Sequence, residues 1–206
     1  MLWKTEVDKV VAQVPEANDA GERFVVGVAG PPAAGKSTFA SELKAALGSR
    51  AAVLGMDAFH FDDAILEARG DRSRKGAPHT FDVEAYRFIL EALKRNRSTE
   101  MSIPVFDRAL ELSRNCAELV TADDDVIITE GNYLLLDSDR WHAICKLCDV
   151  TVMLTASVAA IEARILNRWE SYGLSESEAQ EKATHNDIPN ANLVLQRSTT
   201  ADLTFE

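Results

Sequence analysis

Cysteine is scarce in this 206-residue chain, and the three that occur, Cys116, Cys145 and Cys148, fit a reducing compartment better than a disulfide framework. Cys145 and Cys148 stand in C-x-x-C spacing, but no second such pair and no paired histidine follows to complete a zinc site. Set in WHAICKLCDVTVML, both read as small apolar residues leading into a strand. Positive charge is also in short supply: 22 Lys and Arg face 33 Asp and Glu, for a net charge of −11. A nucleic-acid partner would need clustered cations to replace counterions along the phosphate backbone, so none is expected. No apolar run approaches the length of a membrane span, and MLWKTEVDKVVAQV at the start interleaves charges with its apolar residues, unlike a signal peptide. The expectation is a cytoplasmic protein with no membrane partner.

Apolar residues make up 46% of the chain, enough to fill the core of one domain carrying a small lid. Four runs read as buried strands: FVVGVAG (24–30), AAVLGMD (51–57), DVIITEG (125–131) and DVTVML (149–154). Before, between and after them lie stretches with apolar residues at helical spacing. These are Val7, Val10, Val11 and Val14; Phe39, Leu43 and Leu47; Val83, Tyr86, Leu90 and Leu93 behind a capping Asp82; and Val158, Ile161, Ile165 and Trp169. ADLTFE at the end reads as a short last strand, and residues 60–80, rich in charge, Gly and Pro, as an exposed excursion. Strands that are apolar throughout and alternate with helices predict a mostly parallel sheet covered on both faces, an α/β fold.

GPPAAGKS, from Gly30 to Ser37, matches G-x-x-x-x-G-K-[ST] in full, leaving a predicted strand and opening a predicted helix. Such a loop wraps its backbone N–H groups around phosphates while the helix contributes its positive N-terminal end. Gly30, Pro31, Pro32, Ala33, Ala34, Gly35, Lys36, Ser37 and Thr38 are therefore expected to hold the triphosphate of a nucleotide, ATP, in a three-layer P-loop NTPase fold. Lys36 would reach the β- and γ-phosphates, and the Ser37 hydroxyl would ligate Mg²⁺. Ala33 occupies a position where many such loops carry glycine, which predicts a slightly different loop shape. The chain has no N-K-x-D guanine reader and no ABC-type signature, which tells against a GTP-driven or ABC-type machine.

Two acidic residues are predicted at strand ends, where ligands of open α/β sheets bind: Asp57 and Glu130. Beside a phosphate loop they match the needs of phosphoryl transfer, a carboxylate for the metal and a group to position the attacking hydroxyl. Glu130 is assigned to Mg²⁺ and Asp57 to the base, with an exchange of the two roles left open. Arg164 and Arg168 lie one helical turn apart at the start of a polar stretch, so residues of about 164–185 read as a lid whose arginines neutralise charge on the transferred group. His60, Lys75 and Arg108, in loops beside strand ends, are candidates for gripping the acceptor, and Tyr133 for stacking on it.

GPPAAGKST, MDAFHF, KGAPHTFD, PVFDR, ITEGNYLLL and the Arg164/Arg168 helix together resemble the uridine kinase, phosphoribulokinase and bacterial pantothenate kinase superfamily, from about Phe24 to Asn192. NDIPNANLV (186–194) is similar to a stretch in short bacterial fructose transport system kinases, and sequence assigns it no role. The resemblance implies an ATP- and Mg²⁺-dependent kinase of carbohydrate metabolism acting on a hydroxyl of a small, sugar-like acceptor, with Asp57 as catalytic base. It leaves room for a homodimer. A nucleoside or pantothenate-type kinase is the alternative, and a non-kinase ATP-binding switch a more distant one.

Overall fold

Strands buried on both faces can pair only with one another, and the predicted apolar runs do so. The computed structural model describes residues 2–16, 21–96 and 100–206. Its strands are β1 (Phe24–Ala29), β2 (Ala51–Gly55), β3 (Met101–Asp107), β4 (Leu112–Val120), β5 (Val126–Gly131), β6 (Val150–Leu154) and β7 (Leu203–Phe205). Five of them form one parallel sheet in the order β2-β5-β1-β6-β7, so the final ADLTFE does supply an edge strand.

The helices are α1 (Lys4–Val11), α2 (Lys36–Leu47), α3 (Asp63–Arg69), α4 (Val83–Arg95), α5 (Asp139–Cys145), α6 (Val158–Ser171), α7 (Glu176–Lys182) and α8 (Ile188–Arg197). Alternate residues of each strand face opposite layers. Val26, Val28, Ile128 and Val152 meet Val7, Val10, Phe39 and Leu43 of α1 and α2. Val25, Ile127 and Met153 meet Tyr86, Leu90 and Leu93 of α4, with Trp141 and Ile144 of α5. The Asp82 carboxylate accepts from the Ala85 amide and starts α4 as expected of an N-cap.

The structure departs from the sequence reading in four places. β2 stops at Gly55, and Asp57 lies in a short 3₁₀ turn, Met56–Phe59. Residues 60–80 are not a loose excursion: they hold α3, capped by Asp62, and bury Ala77 and Thr80. β3 and β4 form a separate antiparallel hairpin that periodicity could not reveal, because most of β4 is exposed. Val158 is exposed on α6; only Ile161 and Ile165 of the predicted face are buried, in a small cluster with Ala183 and Ala191 rather than against the sheet. Cys145 and Cys148 are free thiols, and Cys148 lies so close behind β1 that a Cβ on Gly27 would come within 2.6 Å of its Sγ.

A buried arginine ties the layers together. Arg23, preceding β1, is almost wholly buried and donates from Nε to Asp124 O, from Nη1 to Leu93 O and Asn96 O, and from Nη2 to Thr121 O, at 2.7–2.9 Å. Arg23→Met keeps much of the volume and leaves four carbonyls without this donor. We expect it to lower stability by about 3 kcal/mol or more, read as a shift in the urea unfolding midpoint; a wild-type midpoint would mean that water satisfies those carbonyls.

Candidate active site

The phosphate loop owes its shape to three backbone constraints. A Cβ on Gly30 would meet Leu154 O at 2.6 Å, so the loop can leave β1 this close to β6 only with glycine there. Gly35 caps α2 in the left-handed region, at φ 92°. Ala33 is also left-handed, at φ 61°, which costs an L-residue about 1 kcal/mol; this is the loop position where glycine is common. Trp3, from the segment before α1, packs against Gly35.

Lys36, 8% exposed, donates to Pro31 O at 2.9 Å within the loop it serves. Burial pushes its ammonium below the ordinary lysine range, while the carboxylates of Glu130 and Asp57 oppose that shift. Glu130, opposite Gly55 of β2 and Val28 of β1, accepts from the Ser37 hydroxyl at 3.1 Å. Burial raises its carboxyl above the usual range, and the negative charge of Asp57 adds to the rise. A hydroxyl and a carboxylate meeting beside the phosphate loop, with that carboxylate held against its own desolvation, form a donor set suited to a hard divalent cation.

Asp57 is held by Arg108, Nη2 to Oδ2 at 2.8 Å. His60 lies against Phe81 and Phe106, with ring centroids 4.1 and 5.0 Å away. Its Nδ1 is 2.8 Å from Asp57 O; a carbonyl only accepts, so Nδ1 carries the proton and Nε2 is left as an acceptor. Burial pushes the imidazole pKa down, against the influence of Asp57, and keeps the ring neutral. The Lys75 ammonium is fixed by Asp63 Oδ1 at 2.6 Å and Glu111 O at 2.7 Å.

These side chains share one cleft of about 460 Å³ at the carboxyl ends of the strands. It brings together Lys36, Ser37, Asp57, Glu130, His60, Lys75, Arg108 and Arg168 of the residues singled out from sequence. Arg164 is exposed on α6 and does not line it. Tyr133 is no stacking surface either: it is buried against Phe81 and Trp141, and its hydroxyl donates to Gly76 O at 2.6 Å, supporting the wall from behind. The reading from sequence missed Phe106, Glu111, Trp169, Asn186, Asp187 and Asn190 as wall residues. The polar Asn186, Asp187 and Asn190 within an otherwise helical stretch were the available signal.

A complete phosphate loop between a parallel strand and its helix, with Glu130 near the end of β5 and Asp57 in the turn after β2, is the arrangement of a P-loop kinase, a phosphotransferase that uses ATP on a small-molecule substrate. A family model described as Phosphoribulokinase / Uridine kinase family matches residues 25–200, and the chain belongs to that family. A candidate uridine kinase of Schizosaccharomyces pombe is 30% identical over 196 residues, covering 90% of this chain and 83% of that protein. A Streptomyces coelicolor pantothenate kinase is 31% identical over 165 residues, covering 75% of this chain and 50% of the relative. The crystal structure of a candidate fructose transport system kinase from Silicibacter sp. TM1040 superposes over all of both chains, with a TM-score of 0.91 and 36% identity.

His60 makes the cleft sensitive to acid. Its folded pKa lies below the unfolded value of 6.5, so the unfolded chain takes up the proton first and stability falls as pH drops through that value. His60→Phe keeps the ring contacts and removes this titration. The loss of unfolding free energy between pH 8 and pH 6 is therefore expected to be smaller in the variant, measured by urea titration at each pH; equal losses would mean that the imidazole titrates as if in water.

Proposed function

We propose that the chain transfers the γ-phosphoryl group of ATP to a hydroxyl of a small sugar-like metabolite of the fructose type. The observation that carries this reading is the meeting in one cleft of the phosphate loop, with its buried Lys36, and the carboxylate of Asp57 in the turn after β2. The acceptor oxygen forms a bond to the γ-phosphorus as the bond from phosphorus to the bridging oxygen breaks; Asp57 takes the hydroxyl proton, and ADP leaves. Loop amides and Lys36 hold the triphosphate. Ser37 and Glu130 are the residues that would hold Mg²⁺, which when bound supplies positive charge against the phosphate oxygens.

Asp57 is ion-paired with Arg108, so the acceptor hydroxyl competes with the guanidinium for that carboxylate, and the freed Arg108 can turn to the anionic phosphates. Neutral His60 offers Nε2 to a second hydroxyl, and Lys75 lies on the same wall. Phe106, half-buried in the cleft wall with Lys75 and Arg108 over its ring, is an aromatic of the kind that suits the apolar face of a sugar. Support for a ketohexose comes from the 36% identical neighbour named for fructose transport.

Lys36→Ala is expected to abolish ADP release in the presence of Mg·ATP and a panel of ketohexoses, aldoses and polyols. Asp57→Asn should leave ATP affinity near wild type while lowering kcat by about 10²–10⁴. A folded Lys36→Ala protein that still transfers phosphate at the wild-type rate would rule out the whole reading.

A further inference from the structure

Between α7 and α8 the helix widens into a π turn, Ala183–Asp187, a rare geometry that is frequent at functional sites. Asp187, 8% exposed, closes this turn and spends both carboxylate oxygens on α6: Oδ1 accepts from Arg168 Nη2 at 3.0 Å, and Oδ2 from Trp169 Nε1 at 2.6 Å. The indole is enclosed in turn, with the Lys182 ammonium 3.8 Å from its ring centroid and Tyr172 edge-on at 5.8 Å. Arg168 and Asp187 both line the cleft.

This pair differs from a purely structural one. Arg50 grips Asp125 through both Nε and Nη2, a two-pronged contact that uses the guanidinium fork. Arg168 gives Asp187 a single nitrogen and lies 4.9 Å from the Trp169 ring centroid, and its Nε is buried with no hydrogen-bond partner among the described residues. The guanidinium is thus anchored at one end with donors to spare, and its charge reaches the phosphate loop, where it acts to lower the pKa of Lys36. The opposite side of the same π turn is tied to the acceptor wall: Asn186 Nδ2 donates to Lys75 O at 2.7 Å, and Arg74 Nη1 to His185 O at 2.8 Å. One turn therefore spans the two substrate halves of the cleft.

We infer that Asp187 is the positioning residue of this kinase, holding Arg168 from the π turn so that the guanidinium's remaining donors face the phosphoryl group in flight. The inference rests on the kinase reading above. An arginine on the polar start of a lid would otherwise sample many rotamers, and each would have to be frozen out during transfer. Anchoring through a carboxylate removes that cost, and the indole bond fixes the carboxylate. This gives NDIPNANLV the role that its sequence alone did not disclose.

The test is a double-mutant cycle on kcat with Mg·ATP and the best acceptor of the panel. Asp187→Asn keeps shape and hydrogen bonding but removes the charge; kcat should fall about 10–100-fold with KM for ATP little changed. Arg168→Ala should lower kcat by about 10³, and adding Asp187→Asn to it should cost no more than about twofold further. A wild-type kcat for Asp187→Asn, or a double variant lowered by the product of the two single effects, would overturn the inference. A second readout is independent of turnover. The indole N–H resonance of Trp169, identified by its loss in Trp169→Phe, should move in Asp187→Asn. On adding Mg²⁺ and a non-hydrolysable ATP analogue it should also move in the wild type but not in Arg168→Ala. If wild type transfers to no acceptor while this Arg168-dependent response persists, the kinase reading fails and the positioning stands; an indole resonance unmoved by Asp187→Asn removes the positioning alone.

Discussion

The register between β1 and β5 is the constraint on which the site depends. Pairing Val28 with Glu130 and Ala29 with Gly131 sets the end of β5 beside the turn that opens the phosphate loop. A slip of one residue would reverse which side chains meet α2 and which meet α4, exchanging the contents of two cores that are both fully packed. The register is thus held by the burial of Val25, Val26, Val28, Ile127 and Ile128, residues that do not line the cleft. Arg23 reinforces it from the other end of β1, binding carbonyls of the last turn of α4 and of the segment between β4 and β5.

Charge is arranged within the cleft in a way that the overall composition conceals. The chain carries a net charge of −11, yet the cleft gathers Lys36, Arg72, Lys75, Arg108, Arg168 and Lys182. Four of these have a carboxylate within ion-pair distance: Arg72 and Lys75 share Asp63, Arg108 has Asp57, and Arg168 has Asp187. Lys36 has no carboxylate at ion-pair distance among the described residues; burial lowers its pKa, and Glu130 and Asp57 nearby oppose that shift. An anionic ligand entering such a site exchanges one set of ion pairs for another, so its desolvation is offset by partners already in place.

Two packing regimes meet at the cleft. The sheet and its covering helices form the two large apolar clusters, whereas α6, the π turn and α8 share a small one built on Ile161, Ile165, Ala183 and Ala191. Few buried side chains join that small cluster, so it has less apolar area to resist opening, as expected of the parts of a fold that move around ligands.

The sequence alone determined the parallel α/β sheet, the phosphate loop and Glu130 near the end of its strand, whereas Asp57 proved to lie in the turn beyond β2. Each of these follows from local rules: continuous apolar runs make buried strands, a glycine-lysine turn at a helix start makes an anion cradle, and a polar residue closing such a run falls at the carboxyl end of the strand. Only the tertiary structure decided the rest. Periodicity reports a face and not what covers it, so Val158 read as core and is exposed, and Arg164 read as equal to Arg168 and faces solvent. Tyr133 read as a ligand contact, whereas Phe81, far back in the chain, and Trp141 of α5 pack against its ring and bury it. The hairpin β3–β4 escaped because most of β4 is exposed, and the wall residues Asn186 and Asp187 because their partners lie on other elements, such as Lys75 for Asn186 and Arg168 of α6 for Asp187. Contacts of that kind depend on the long-range packing of the chain, and no local pattern encodes them.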